Sequence, residues 1–97
     1  MADKSKAKAQ QDANRIAEWL VDNRAEFEQS GISEDRLTGS LGMSVTDEMQ
    51  AVDYLENRDE VVRWPQAQTT PPRFLLKPGR IWPKIRDAVL EKRPGGQ

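Results

Sequence analysis

The sequence predicts one small α+β domain, mainly helical, in which three helices precede a β-hairpin and a last helix follows it. Three observations support this: apolar residues at helical spacing, two serine-capped helix starts around a glycine turn, and two β-rich runs flanking a polar loop. The length of 97 residues fits one module. We therefore expect a folded domain over residues 12–93, a disordered basic tail over 1–11 and a disordered tail over 94–97.

The first helix is predicted from the positions of Ala13, Ile16 and Leu20, which lie at i, i+3 and i+7. Apolar residues at this spacing form one stripe along a helix, and such a stripe normally faces the core. The pattern fades near Phe27, and Gly31 marks the end of the helix because glycine commonly follows a helix C-terminus.

The second and third helices are predicted from their caps. Ser33 is placed to cap the second helix, and Gly42 fits the left-handed position just past its end. Ser44 and Asp47 then form a variant of the capping box, which starts a third helix that runs to about Asn57. The apolar face expected for this third helix comprises Val45, Met49, Val52 and Leu55.

The hairpin and the last helix are predicted from a change in residue composition after position 60. Residues 61–64 and 73–77 are rich in β-favouring side chains, and a polar, proline-containing segment of eight residues separates them. The Pro78-Gly79 pair ends the second strand. The last helix is indicated by apolar residues that recur every four positions, at Ile81, Ile85 and Val89.

The composition excludes most catalytic chemistry. The chain has no histidine and no cysteine, which excludes disulfides, thiolate and imidazole metal sites, and serine or cysteine triads. A chain this short rarely encloses a pocket, so we expect no enzyme, no cofactor, no metal and no small-molecule substrate. The apolar runs are too short to span a bilayer and no signal segment is evident, so we expect no membrane contact and a cytoplasmic location.

The charges are segregated along the chain. Residues 12–60 hold four arginines against thirteen acids, whereas residues 61–97 hold eight basic residues against two acids. Fixed charge of one sign steers a partner of the opposite sign over a Debye length of about 8 to 10 Å. An anionic partner is therefore expected at the C-terminal third; the alternative is a solvated surface that complements itself.

The run from Leu37 to Ser44, with its leucine-bearing helix, glycine turn and serine cap, resembles the helix-turn-helix of the winged-helix superfamily. Ile32 matches the short strand that pairs with the wing in such domains, and residues 61–77 match the wing hairpin. The resemblance covers roughly residues 13–92. It implies a winged helix with a helix-turn-helix core of three helices, a β-hairpin wing and a C-terminal helix.

The resemblance also implies binding of double-stranded DNA and a role in transcription regulation, with the third helix in the major groove and the wing along the backbone or in the minor groove. No lysine or arginine lies between Ser44 and Asn57, so the wing must supply the positive charge that phosphate contacts require. The residues expected to contact DNA are Ser44, Thr46, Gln50 and Asn57 on the third helix, and Arg63, Gln68, Thr70, Arg73, Lys77 and Arg80 around the wing.

Two alternatives concern protein partners. The acidic middle of the chain favours an interaction module that binds protein and no DNA. The last helix has more apolar surface than it needs to pack against its own domain, because Trp82 and Leu90 lie about 100° from its main apolar stripe. This predicts a homodimer interface formed by Trp82, Ile85 and Val89; the alternative is a monomer in which Trp82 folds back against the first helix.

Overall fold

A computed structural model describes residues 4–65 and 73–93. In these residues the chain forms five α-helices and a three-stranded antiparallel sheet, which confirms the expected mainly helical α+β class. No helix in the described part is long and apolar enough to cross a bilayer. The elements in chain order are α1 (Lys4–Asp22), α2 (Arg24–Ser30), β1 (Ile32–Ser33), α3 (Glu34–Leu41), α4 (Val45–Asn57), β2 (Val61–Pro65), β3 (Phe74–Pro78) and α5 (Trp82–Lys92).

The first helix begins earlier than the apolar spacing indicates. It starts at Lys4, so residues 4–11, which were expected in a disordered tail, are helical. Their alanines, lysines and glutamines favour helix, and Lys8 forms an i, i+4 ion pair with Asp12 at 3.1 Å. The expected tail segments 1–3 and 94–97 lie outside the described residues.

The glycine turn and both serine caps are confirmed. The hydroxyl of Ser33 accepts a hydrogen bond from the backbone N–H of Arg36, and that of Ser44 accepts one from the N–H of Asp47. Gly42 has a φ of 64°, the left-handed conformation that glycine adopts without a steric penalty. These caps separate α3 from α4 within three residues.

The sheet has β3 at its centre, between β1 and β2. Ile32 pairs with Leu76, which confirms the short strand expected there, and Trp64 pairs with Leu75 in the hairpin. Because β3 is held on both sides, it fixes the position of the hairpin against the helices.

The core differs from expectation on α4. Val45, expected on the apolar face, is exposed, whereas Glu48 is completely buried beside Ala51. Val45 is the first residue of α4 and precedes the turn that packs against the rest of the domain. The buried hydrophobic core comprises Ala13, Ile16, Ala17, Leu20, Val21, Phe27, Ile32, Leu37, Met43, Ala51, Val52, Leu55, Val61, Leu76 and Trp82.

Trp82 belongs to this core, which corrects its expected place in a dimer interface. Its side chain is 2% exposed, and its ring meets that of Phe27 edge-on at a centroid distance of 4.8 Å. The indole N–H donates to a carboxylate oxygen of Glu28 at 2.7 Å, which supplies the partner that a buried tryptophan needs. The segment predicted as one first helix is divided at Asn23 into α1 and α2, and Trp82 packs on its second part, as the alternative of a tryptophan folded back on the first helix expects.

Gly79 lies where two connections of the chain touch. A Cβ atom at this position would stand 2.3 Å from the carbonyl oxygen of Asp59, far inside van der Waals contact. Gly79 also donates its backbone N–H to the carbonyl oxygen of Glu60 at 2.9 Å. The β3–α5 connection can therefore approach the α4–β2 connection only because position 79 has no side chain.

We predict that Gly79→Ala destabilises the domain by about 2 kcal/mol or more, since the added methyl group forces backbone apart. The matched control is Gly39→Ala on α3, where an added Cβ meets nothing within 4 Å. Alanine there should stabilise the helix by up to about 1 kcal/mol. Urea unfolding of both variants checks the pair, and similar effects at the two glycines would contradict the close approach.

Candidate functional site

The hairpin presents one face to solvent and the other to the helices. Side chains alternate along a strand, and directly opposed residues of antiparallel strands share a face. Val62 opposes Lys77, and Trp64 opposes Leu75. We call these four residues the outer hairpin face.

The outer hairpin face exposes large apolar side chains. Val62 is 37% exposed and Trp64 is 52% exposed, whereas Leu75 is half-buried. The ammonium of Lys77 lies 4.6 Å from the centroid of the Trp64 ring, close enough for a cation–π contact. The face therefore combines apolar surface with a positive charge.

The opposite face of the hairpin carries Arg63, whose side chain is held against α4. Its guanidinium donates to the carboxylates of Asp53 and Glu56, at 2.5 and 3.2 Å. It also donates to the backbone carbonyl of Met49 at 3.1 Å. These bonds hold β2 to α4, and a contact of Arg63 with phosphate, which stays a prediction, would have to replace them.

Arg73 is buried at the start of β3. Its Nε donates to Asp35 at 2.8 Å, and its Nη1 donates to Glu48 at 3.0 Å. The next residue, Phe74, donates its backbone N–H to Glu34 at 3.1 Å. Arg73 is thus held inside the domain, and its expected contact with phosphate stays a prediction. We call Glu34, Glu48, Arg63 and Arg73 the buried ionic cluster.

Burial changes the acidity of one member of the cluster. Removal from water raises the pKa of Glu48 to about 8, because desolvation disfavours the charged carboxylate. The neighbouring carboxyl of Glu34 is the second cause of this rise, whereas Arg73 opposes it. The carboxyl of Glu48 therefore favours its protonated form more strongly than an ordinary glutamate does.

Sequence reasoning missed the two buried glutamates, Glu34 and Glu48. Glu48 lies at i, i+3, i+4 and i+7 with three core residues of α4, and Glu34 lies three residues before the buried Leu37. An acid within such a stripe is the signal that was available. The pattern puts the acidic side chain on the core-facing side of its helix. It does not tell which residue forms the ion pair or hydrogen bond that a buried acid needs.

The remaining residues expected to contact DNA are scattered. Ser44, Thr46, Gln50 and Asn57 are exposed on α4, although Ser44 also caps the helix. Arg80 is 83% exposed and pairs with Asp59, and Lys77 lies on the outer hairpin face. The expected contacts Gln68 and Thr70 lie outside the described residues. Among the described residues the fold brings Lys77 next to Trp64, whereas it turns Arg63 and Arg73 inward.

The other members of the expected dimer interface lie on a groove. Ile85 and Val89 are half-buried and, together with Ala17, line a groove of about 460 Å³ between α1 and α5. Arg58 and Glu60 form an ion pair of 3.2 Å at its edge, and burial raises the pKa of Glu60. Homodimer formation through α5 stays a prediction. No group of three or more acids placed to bind a metal ion occurs among the described residues.

The class that the structure defines is a compact α+β domain, with five described helices and a three-stranded antiparallel sheet, compatible with a winged helix. Comparison of the chain with protein-family models, with curated proteins and with solved structures gave no match. Its function is therefore argued from its own side chains.

We predict that Arg73→Gln destabilises the domain by about 3 kcal/mol or more, because it leaves the buried Glu48 without its cation. The matched control is Arg80→Gln, which removes an exposed ion pair and should change the free energy of unfolding by less than about 1 kcal/mol. Thermal or urea unfolding at neutral pH measures both. A tolerated Arg73→Gln would show that the buried ionic cluster does not stabilise the fold.

Proposed function

We propose that the chain is a winged-helix protein-interaction module that binds an acidic and apolar segment of a partner protein on its outer hairpin face. The observation that carries the proposal is the exposure of Trp64, more than half of whose surface is open to solvent beside Val62. Contiguous exposed apolar side chains with a tryptophan are typical of interaction surfaces, where aromatic residues supply most of the binding energy.

The charge around this face supports an acidic partner. Lys77 lies against the Trp64 ring, and no acidic residue occurs in the sequence from Val61 to Arg86. A carboxylate next to an apolar side chain would meet Lys77 while its neighbour packs on Trp64. Such complementarity raises the association rate and selects among partners.

The inward placement of two arginines weighs against duplex DNA as the first choice. Arg63 and Arg73 are engaged by carboxylates of α3 and α4, so using them for phosphate would break bonds inside the domain. The exposed side of α4 also carries Asp53 and Glu56. Phosphate contacts supply most non-specific DNA affinity, and here few cations remain for them.

DNA binding is the second candidate, favoured by one observation on α4. Thr46, Gln50 and Asn57 recur at helical spacing and are all exposed, so they form a polar stripe of the kind that reads base edges. In this mode α4 enters the major groove, and Lys77 and Arg80 contact phosphate. A transcription regulator of winged-helix type would use this surface.

We predict that Trp64→Thr abolishes selection of peptides by the folded chain. A displayed library of random twelve-residue peptides is panned against the full chain, and the enriched sequences should combine apolar residues with aspartate or glutamate. Loss of the tryptophan ring should weaken binding of an enriched peptide at least tenfold, since hot-spot residues contribute about 2 kcal/mol or more. Titration of a labelled peptide by fluorescence polarisation measures this.

The matched control is Val45→Thr, which removes an apolar side chain that is also exposed but lies at the start of α4. It should leave peptide affinity unchanged. Titration of a random twenty-base-pair duplex at low salt tests the second candidate. Duplex binding with a log K to log salt slope near about −2, unaffected by Trp64→Thr, would contradict the protein-interaction proposal and favour DNA.

A further inference from the structure

Glu34 and Glu48 bring two carboxyl groups together in the interior. Both residues are 0% exposed, and the negative charge of Glu34 contributes to the raised pKa of Glu48. Each uses one oxygen to hold β3: Oε1 of Glu34 accepts from the backbone N–H of Phe74, and Oε1 of Glu48 accepts from Arg73. The pair therefore joins α3, α4 and β3.

The second oxygen of each carboxyl has no donor among the described residues. The nearest cation to Oε2 of Glu34 in the ion pairs is Nε of Arg63, at 3.8 Å, which is too long for a hydrogen bond. A buried acceptor without a donor destabilises the folded state, and it does so more strongly when it is charged. One proton held by the pair provides the missing donor and removes one of the two negative charges.

The surrounding charges do not neutralise two carboxylates. Arg73 is shared with Asp35, and Arg63 is shared with Asp53 and Glu56. Two cations thus serve five acids. The other charged groups on α3, α4 and the hairpin strands are Asp35, Arg36, Asp47, Asp53, Glu56, Arg63 and Lys77, and Arg73 directly precedes β3. On α1, which packs against α4, Lys8 pairs with Asp12 and Asp47.

We propose that Glu34 and Glu48 form a proton-binding site that holds one proton between them, and that release of this proton to water loosens the attachment of β3 to α3 and α4. Without it, two negative charges repel each other in a low-dielectric interior. Their repulsion moves the carboxyl groups that accept hydrogen bonds from Arg73 and from the backbone N–H of Phe74. These two residues directly precede Leu75 of the outer hairpin face. The proposal does not depend on which partner binds that face.

The direction of the pH effect follows from the two states of the chain. Burial raises the pKa of Glu48 to about 8 in the folded chain, whereas the ordinary value is 4.5. Between these values the folded chain keeps a proton that the unfolded chain has lost, so stability falls as the pH rises through this window and levels off above it. The chain has no histidine to add its own transition there.

The test is a carbon-13 NMR titration of the glutamate carboxyl groups of the full chain between about pH 4 and pH 10. We expect a carboxyl of the Glu34–Glu48 pair to titrate near pH 8, and the backbone amide signal of Phe74 to shift with the same midpoint. The unfolding equilibrium constant should rise on the order of a hundredfold from about pH 6 to pH 9. Midpoints below about pH 5 for both carboxyls would overturn the proposal, whatever the variants show.

Glu48→Gln supplies a permanent donor in place of the proton, and it should remove the pH dependence of both the Phe74 signal and the unfolding equilibrium. The matched control is Glu60→Gln, which changes another buried glutamate whose pKa burial raises, outside the cluster. This variant should keep the response of Phe74. Retention of the full response in Glu48→Gln, or its loss only in Glu60→Gln, would assign the transition elsewhere and overturn the proposal.

Discussion

The structure depends on a buried guanidinium. Arg73 enters the interior at the start of β3 and meets carboxylates from α3 and α4, so one side chain ties the central strand to both helices of the glycine turn. Removing ions from water is costly, and such a cluster is stable only when its partners are placed accurately. The caps at Ser33 and Ser44 contribute this accuracy, because they set where α3 and α4 begin and hence where Glu34 and Glu48 point.

This constraint also explains how the charge segregation of the sequence is used. The acids of the middle segment and the bases of the last third meet inside the domain, at the ion pairs of Arg63 and Arg73 with α3 and α4. Much of the positive charge of the hairpin, that of Arg63 and Arg73, is therefore paired with acids inside the domain. What remains outside is a mixed surface in which Lys77 accompanies Trp64.

Local signals predicted most of the fold. The caps, the left-handed Gly42 and the β-rich runs are properties of a few neighbouring residues, and the structure confirms each. The site was less accessible, because whether an arginine faces solvent or the interior depends on acids 25 to 38 residues away in the chain. The placement of Trp82 likewise depended on Phe27 and Glu28, which periodicity within the last helix does not report.

The close approach at Gly79 holds the β3–α5 connection directly against the α4–β2 connection. Gly79 donates its N–H to Glu60 and Ile81 donates to Asp59, while Asp59 itself adopts a left-handed φ of 62°. These hydrogen bonds hold the segment after β3 against the segment before β2. Because α5 starts directly after these bonds, the base of the hairpin and the indole of Trp82 move together. In a chain whose other two tryptophans, Trp19 and Trp64, are replaced by phenylalanine, the fluorescence of that buried ring would report displacement of the hairpin without an added label.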